Sequence, residues 1–141
     1  MGSARRDQVE QVLDRARRWA MGRADVVAVA LVGSWARDAA RPDSDVDLVV
    51  LTTDQAPYLD RDDWIGGLVA DRLVMTRSWG PLTERRLVLP SGLEVEVGIA
   101  PPSWAAADPV DEGTHQVITD GVRVLHDPEG LLATLIAAVR L

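Results

Sequence analysis

Residues 33–50 read GSWARDAARPDSDVDLVV, and this stretch decides how the chain folds. It follows a short, continuously apolar run and ends in a second apolar run that carries Asp45 and Asp47. Short apolar runs of this kind are typical of strands that are covered on both faces. We therefore predict two buried strands, Val26–Val32 and Val46–Thr52, with a turn and a polar loop between them.

The two aspartates and the Gly-Ser pair have complementary chemistry. Asp45 and Asp47 are two residues apart, so an extended strand points both carboxylates to the same side. They repel each other unless a cation lies between them, and Mg²⁺ is a hard cation that takes carboxylate oxygens together with phosphates and water. Gly33 lets the backbone approach a ligand closely, while the following N–H groups and the Ser34 hydroxyl can donate hydrogen bonds to phosphate. The stretch therefore predicts a metal site beside a phosphate site.

An isolated Asp-x-Asp pair is weak support for function. Acidic pairs are common at strand ends, metal-dependent glycosyltransferases also use one, and Gly-Ser with two aspartates could simply build a turn. The combination is more specific, because a strand, a Gly-Ser pair, a loop and Ser-Asp-x-Asp at the start of a second strand follow one another here.

This combination resembles the nucleotidyltransferase superfamily that includes DNA polymerase beta, and within it the small minimal nucleotidyltransferases. Their signature is G-S-x-A-R-G, a short loop and then S-D-x-D. The matching residues in this chain are Gly33, Ser34, Ala36, Arg37, Ser44, Asp45 and Asp47. The one departure is Asp38, where the family usually has Gly. Asp tolerates left-handed backbone better than most residues, so we expect the turn to survive with added negative charge near the phosphate site.

Residues 84–100 are the second informative stretch. Two apolar runs flank Pro90-Ser91-Gly92, which predicts a β-hairpin whose second strand has Glu94 and Glu96 on one side. The superfamily places a third metal carboxylate on a strand beside the Asp-x-Asp strand, so the resemblance implies that one of these glutamates is that residue. In the polymerase relative the third carboxylate lies mid-strand, a few residues before the strand leaves the sheet at a proline. The resemblance therefore favours Glu96, which stands in that relation to Pro101, over Glu94, which lies close to the turn. The alternative is that both face solvent.

The resemblance implies transfer of a nucleotidyl group from an NTP, with ATP expected, by a site that holds two Mg²⁺ ions. It implies that Asp45 and Asp47 bridge both ions. Glu96 would hold the catalytic ion and accept the acceptor's proton, directly or through water. The three carboxylates are therefore predicted both as metal ligands and as catalytic residues.

The nucleotide-binding residues implied by the resemblance lie on the turn and the loop. Gly33 and Ser34 would cradle the β- and γ-phosphates, and Arg37 would neutralise charge on the leaving group. Ser44 is expected to cap or orient the loop. His115 is a conceivable general base, but a lone histidine beside a loop is more often a surface or structural residue.

Composition and charge exclude several other functions. The chain has no cysteine and no lysine, which excludes disulfides, thiolate metal sites, a P-loop lysine and Schiff-base chemistry. The net charge is −7, and no cluster of basic residues alternates with aromatics, so bulk binding to DNA or RNA is not expected. With no secretory h-region and no apolar run of membrane-spanning length, we expect a cytoplasmic protein without a membrane partner.

We predict a single nucleotidyltransferase domain over residues 1–141. Its class is α/β (α+β), with a mixed sheet of about four or five strands and helices packed against it. Helices are predicted over residues 2–23 with Ser3 as N-cap, over residues 60–70, and from Pro128 with Asp127 as the cap. Residues 53–58 are predicted to form a loop.

The acceptor stays open. By resemblance, the chain could transfer AMP to a hydroxyl on a protein, as antitoxins of this type do to a helical (HEPN) toxin partner. It could modify a small molecule such as an aminoglycoside, although single-domain size argues against that. It could also bind a nucleotide or partner without catalysis, but the complete acidic set favours an enzyme. A shallow cleft in one domain favours a protein partner or a homodimer that completes the site.

Overall fold

The computed structural model describes residues 3–140 of the chain. The strands are β1 Val26–Val32, β2 Val46–Thr52, β3 Arg72–Trp79, β4 Leu82–Val88, β5 Glu94–Ala100 and β6 Val122–His126. The α-helices are α1 Ser3–Met21, α2 Ala56–Leu59, α3 Glu112–Asp120 and α4 Leu131–Val139, and short 3₁₀ helices cover Asp63–Leu68 and Pro102–Ala105. No helix in this part of the chain is long and apolar enough to cross a membrane.

The strands form one mixed sheet in the order β3-β4-β5-β2-β1-β6. Only β2 and β5 run parallel to each other; every other neighbouring pair of these strands is antiparallel. The parallel pair is possible because the chain travels through β3 and β4 before it returns beside β2, and parallel strands need such a crossover. The two strands that carry the predicted carboxylates therefore lie side by side in the middle of the sheet.

Two apolar cores cover the two faces of the sheet. On one face α1 and the 3₁₀ helix Asp63–Leu68 pack over alternate residues of the central strands, such as Leu48 and Val97. The helix α1 does this because its apolar residues recur at helical spacing: Val9, Val12, Leu13, Ala16 and Ala20 are all buried. On the other face α3, α4 and the 3₁₀ helix Pro102–Ala105 cover the residues that alternate with the first set, such as Val49 and Leu51.

The fold class is confirmed, and the bounds predicted for β1 and β2 are those observed. The sheet has six strands instead of four or five, because Arg72–Trp79 forms a full edge strand and Val122–His126 forms the opposite edge. The predicted start of α1 at Gly2 lies outside the described residues, and so does the side chain of Ser3, the predicted N-cap.

Two local predictions were wrong. The predicted loop over residues 53–58 contains the start of α2, where Pro57 lies in the first turn and its missing N–H leaves no helical hydrogen bond unmade. The last helix begins at Leu131, not at Pro128. Asp127 still acts as a cap, because its carboxylate accepts hydrogen bonds from the backbone N–H groups of Leu132 and Ala133.

Candidate active site

Strand register brings the predicted acidic residues to one face of the sheet. Asp47 on β2 is the direct neighbour of Glu96 on the parallel strand β5. In the antiparallel pair β4–β5, Glu96 is opposite Arg86 and Glu94 is opposite Val88. Residues in register on neighbouring strands point to the same face. The side chains of Asp47, Glu96 and Arg86 therefore form one row across three strands.

The guanidinium of Arg86 lies among four carboxylates. Its Nη1 is 3.3 Å from Asp45 Oδ2 and 3.4 Å from Glu94 Oε1. Its Nη2 donates a hydrogen bond to Glu96 Oε1 and lies 3.9 Å from Glu84 Oε1. Only 24% of the Arg86 side chain is exposed, so these contacts form in a largely desolvated position. Arg86 is thus the cation that balances the acidic cluster.

Burial dominates the electrostatics of Asp47. It raises the pKa of this carboxyl from its ordinary 3.8 to about 6, and the negative charges of Asp45 and Glu84 act in the same direction. The positive charges of Arg86 and Arg37 oppose the rise. A carboxylate held in a site that disfavours its charge gains from an additional cation beside it.

Asp45 shows the same tendency at lower burial. Desolvation raises the pKa of Asp45 above its ordinary value, the guanidinium of Arg86 lowers it, and the charges of Glu94, Glu84 and Asp43 raise it again. Asp45 comes immediately before β2, where the chain leaves the polar loop. The negative charge of this face therefore exceeds what one guanidinium neutralises.

The donor set fits an oxygen-preferring divalent cation. Asp47 and Glu96 supply carboxylate oxygens from adjacent strands and Asp45 supplies them from the end of the preceding loop; carboxylate oxygens are the ligands that Mg²⁺ takes. Within residues 3–140, no three acidic or histidine side chains converge closely enough to hold a metal ion in this conformation. In this conformation the guanidinium of Arg86 contacts Asp45 and Glu96 directly. The acidic cluster therefore suits a cation, and in the metal-free protein that cation is the guanidinium of Arg86.

The Gly33 turn is packed against Asp47. Gly33 has φ +75°, and a Cβ at this position would be only 2.2 Å from Asp47 Oδ2. Glycine is therefore required twice, by the backbone angle and by the carboxylate. The carbonyl of Gly33 accepts hydrogen bonds from the N–H groups of Ala36 and Arg37, which close a tight turn directly beside the acidic row.

Arg37 and Asp38 diverge at the end of this turn. The charge of Arg37 is close enough to Asp47 to lower its pKa, and the Arg37 side chain forms no ion pair among the described residues. Asp38 has φ +57°, the left-handed backbone that the sequence predicted it would tolerate. Its carboxylate lies 3.6 Å from Arg6 on α1, so its negative charge is partly balanced away from Asp47.

Ser44 and Trp35 brace the loop between β1 and β2. The Ser44 hydroxyl accepts a hydrogen bond from the backbone N–H of Arg41 at 2.7 Å. The Ser44 carbonyl accepts one from the indole N–H of Trp35 at 3.1 Å. These contacts orient the loop that precedes Asp45, and nucleotide binding by Ser44 stays a prediction.

A cleft of about 390 Å³ opens beside the acidic row. Asp47, Glu84 and Glu96 lie along it, and Gly98 forms part of its floor. Its other walls come from the ends of β3 and β4, from the 3₁₀ helix Pro102–Ala105 and from α3, and they are mainly apolar: Trp79, Pro81, Leu82, Trp104 and Val117. The site therefore combines a charged row with an apolar cleft that could exclude water.

Sequence reasoning missed Glu84, Arg86 and the two tryptophans of the cleft. The turn at Pro90-Ser91-Gly92 could have indicated Glu84 and Arg86, because it sets the register of β4 against β5. In that register Arg86 is opposite Glu96 and Glu84 is opposite Gly98. His115 is exposed on α3, and its Nδ1 lies 3.3 Å from the hydroxyl of Thr119 on the same helix. The structure does not bring His115 into the cleft.

A mixed sheet in which an Asp-x-Asp strand runs parallel to a strand with a further acidic residue, beside a Gly-Ser turn, defines a protein of the polymerase beta-like nucleotidyltransferase class. Residues 9–87 match the family described as nucleotidyltransferase domain, and the chain belongs to this family. The match includes the Gly33 turn, both aspartates, Glu84 and Arg86, and it ends before Glu96.

Comparison with solved structures supports the same fold. Nineteen chains match, among them the crystal structure of an aminoglycoside 6-adenyltransferase from Bacillus subtilis. The TM-score is 0.52 at 14% identity, and the alignment covers 69% of this chain and 36% of that one. This chain thus corresponds to little more than a third of the adenyltransferase, and the likeness shows the fold alone. No curated protein matches the sequence significantly.

Proposed function

We propose that the protein is a Mg²⁺-dependent nucleotidyltransferase that transfers NMP, in the form of AMP from ATP, to a hydroxyl group of an acceptor. The observation that carries the proposal is the register of β2 and β5, which makes Asp47 and Glu96 direct neighbours. Family membership and the fold of the adenyltransferase agree with this chemistry. Asp45, Asp47 and Glu96 are proposed as the metal ligands and as the catalytic set.

Divalent ions bound there would supply activation of the attacking oxygen and stabilisation of charge on the departing pyrophosphate. The chain's own groups would do the rest. The N–H groups and hydroxyl of the Gly33-Ser34 turn would hold the β- and γ-phosphates, and Arg37 would balance leaving-group charge. Glu96 would accept the proton of the acceptor hydroxyl, directly or through water.

The acceptor would enter through the apolar cleft, since Glu96 lies on its wall. We propose a hydroxyl group on a protein partner or on a small molecule. A helical partner of the HEPN type or a second copy of the chain could close the open side of this site. Residues 1–141 would then act as a single catalytic domain.

A second candidate function is a catalytically silent module that binds a nucleotide or a protein partner. The observation in its favour is Arg86, which neutralises part of the acidic cluster without any metal ion. A module of this kind would keep the fold and its partner but would not turn over ATP.

Incubation with ATP labelled at the α-phosphorus, Mg²⁺ and candidate acceptors separates the two functions. Transfer of label that is abolished in Asp47→Asn and retained in Asp71→Ala supports the enzyme. Asp71 is a suitable control because it is an exposed acidic residue before β3 that takes no part in the acidic row. Tight binding of a partner that survives Asp47→Asn, with no label transferred by the unmodified protein, supports the silent module.

A further inference from the structure

Arg86 takes the place of a positive ion at the centre of the acidic cluster. Its guanidinium contacts carboxylates from three segments of the chain, which are the end of the loop before β2, β4 and β5. Two of its partners, Asp45 and Glu96, belong to the proposed metal ligands. A positive guanidinium in contact with both carboxylates repels a divalent ion that would share them.

We propose that Arg86 is the resident counter-cation of the site and that divalent ions compete with its guanidinium for Asp45 and Glu96. This inference rests on the proposed function and adds the regulation of the same site. When no metal ion is bound, Arg86 stabilises the folded protein against repulsion among these carboxylates. It also sets the metal concentration at which the site fills.

The surroundings of Arg86 offer it a second position. Glu84 and Glu94 also contact the guanidinium, and neither is a proposed metal ligand. Glu84 is held in place from the other side, because its Oε2 accepts a hydrogen bond from the indole N–H of Trp79 at 3.0 Å. When Asp45 and Glu96 turn to a metal ion, Arg86 retains these two carboxylates as partners.

The present position of Arg86 is also incompletely satisfied. Its Nε–H is buried and has no hydrogen-bond partner within the part of the chain that the structure describes. A buried donor without a partner raises the energy of the conformation that buries it. Movement of the guanidinium away from Asp45 and Glu96 therefore costs less free energy than the release of a fully hydrogen-bonded arginine would.

Binding of Mn²⁺ alone, followed by electron paramagnetic resonance without nucleotide, tests the inference. Arg86→Gln removes the competing charge, and we expect it to bind Mn²⁺ about tenfold more tightly than the unmodified protein. Arg123→Gln is the matched control, because it removes the same charge on the far edge strand, where Arg123 pairs with Glu10. This control should change the affinity by less than about twofold.

Thermal unfolding gives a second readout. In EDTA, Arg86→Gln should unfold at a lower temperature than the unmodified protein, because its carboxylates repel one another without a counter-cation. Mg²⁺ should raise the unfolding temperature of Arg86→Gln by more than that of the unmodified protein. If Arg86→Gln does not fold, Arg86→Lys replaces it. A single ammonium group cannot span the separated carboxylates, so the Arg86→Lys protein should still bind Mn²⁺ more tightly than the unmodified protein.

The outcomes separate this inference from the proposed function. Mn²⁺ binding that is lost in Asp47→Asn but is unchanged or weaker in the Arg86 variant overturns the inference and leaves the metal site standing. Absence of Mn²⁺ binding in the unmodified protein and in the Arg86 variant overturns both. Tighter binding in the Arg86 variant together with a larger Mg²⁺ effect on its unfolding temperature supports the inference.

Discussion

Asp47 and Glu96 are direct neighbours in two parallel strands, although 48 residues separate them along the chain. Parallel neighbours on one face hold their side chains side by side, so two carboxylates in this position repel each other without a cation. The fold therefore concentrates negative charge at one half-buried point in the centre of the sheet. Such an arrangement opposes stability and is expected where a function requires it.

The two glutamates of β5 should differ in their effect on activity. Glu96→Gln keeps the shape of the side chain and removes its charge beside Asp47, so we expect nucleotidyl transfer to fall at least about 100-fold. Glu94→Gln is the matched control, because this residue is on the same strand face but lies opposite Val88 near the hairpin turn. Its rate should change only severalfold. Equal losses in both variants, measured by release of pyrophosphate, would contradict the assignment of Glu96.

Gly33 should tolerate no side chain. In Gly33→Ala the new Cβ would meet the carboxylate of Asp47, and the backbone would have to keep φ at +75°. We expect loss of Mg²⁺-dependent ATP binding, measured by calorimetry, together with lower stability. Gly130→Ala controls for the backbone angle, because Gly130 has φ +72° and a Cβ there would meet nothing within 4 Å. If Gly33→Ala binds ATP as the control does, the turn has no role in holding phosphate.

The stability of the metal-free protein should depend on pH through Asp47. Burial raises the pKa of Asp47 to about 6 from an ordinary 3.8, so the folded state binds this proton more tightly than the unfolded chain does. The free energy of unfolding should therefore fall as the pH rises from 3.8 to about 6, and the whole of this destabilisation should be present above pH 6. Asp47→Asn lacks the ionising group and should be more stable than the unmodified protein at pH 7 by about 3 kcal/mol.

Unfolding in urea with EDTA at several pH values measures this effect. The advantage of Asp47→Asn should shrink as the pH falls from 7 towards 4, because Asp47 is then protonated in the folded protein. Mg²⁺ should reverse the order at pH 7, since Asp47→Asn lacks one of the three proposed metal carboxylates and should bind the ion more weakly. An advantage that does not change with pH would mean that Asp47 is not the titrating group.

A separate polar cluster at the other end of β2 should stabilise the fold without affecting catalysis. Asp25 accepts hydrogen bonds from the hydroxyls of Tyr58 at 2.6 Å and Thr52 at 2.8 Å. Burial alone would raise the pKa of Asp25, but these hydrogen bonds outweigh it and the pKa is lowered. This stabilisation is present above the ordinary pKa of an aspartate and is lost as the pH falls through the lowered value.

Tyr58→Phe removes one donor from this cluster and should cost about 1–2 kcal/mol of unfolding free energy at neutral pH. Ser78→Ala is the control, since its exposed hydroxyl has only a 3.4 Å contact with Thr83. Nucleotidyl transfer by the folded Tyr58→Phe protein should equal that of the unmodified protein. A loss of activity without a loss of stability would show that this cluster is coupled to the site.

The sequence was sufficient for the features that depend on local pattern. The runs Val26–Val32 and Val46–Thr52 are continuously apolar because each strand is covered on both faces, so their bounds could be predicted. Period-two alternation likewise placed Asp45 with Asp47, and Glu94 with Glu96, on one side of the extended chain. The Gly-Ser turn was recognised from its motif, and the structure adds that glycine fits its positive φ against the Asp47 carboxylate.

The features that depend on pairing between distant segments could not be predicted in this way. The position of Arg86 follows from the register of β4 against β5, which the hairpin turn sets. The cleft needs residues 102–117 to return over the sheet and face Trp79 at the end of β3. Tertiary packing determines both the position of Arg86 and the shape of the cleft, and no local sequence pattern predicts that packing.

The most direct test of the central claim is a crystal structure with Mg²⁺ and a non-hydrolysable ATP analogue. We predict ions held by Asp45, Asp47 and Glu96, with the triphosphate on the Gly33-Ser34 turn. A nucleotide bound elsewhere, or bound with Glu96 turned away from both aspartates and no ion beside them, would contradict the account.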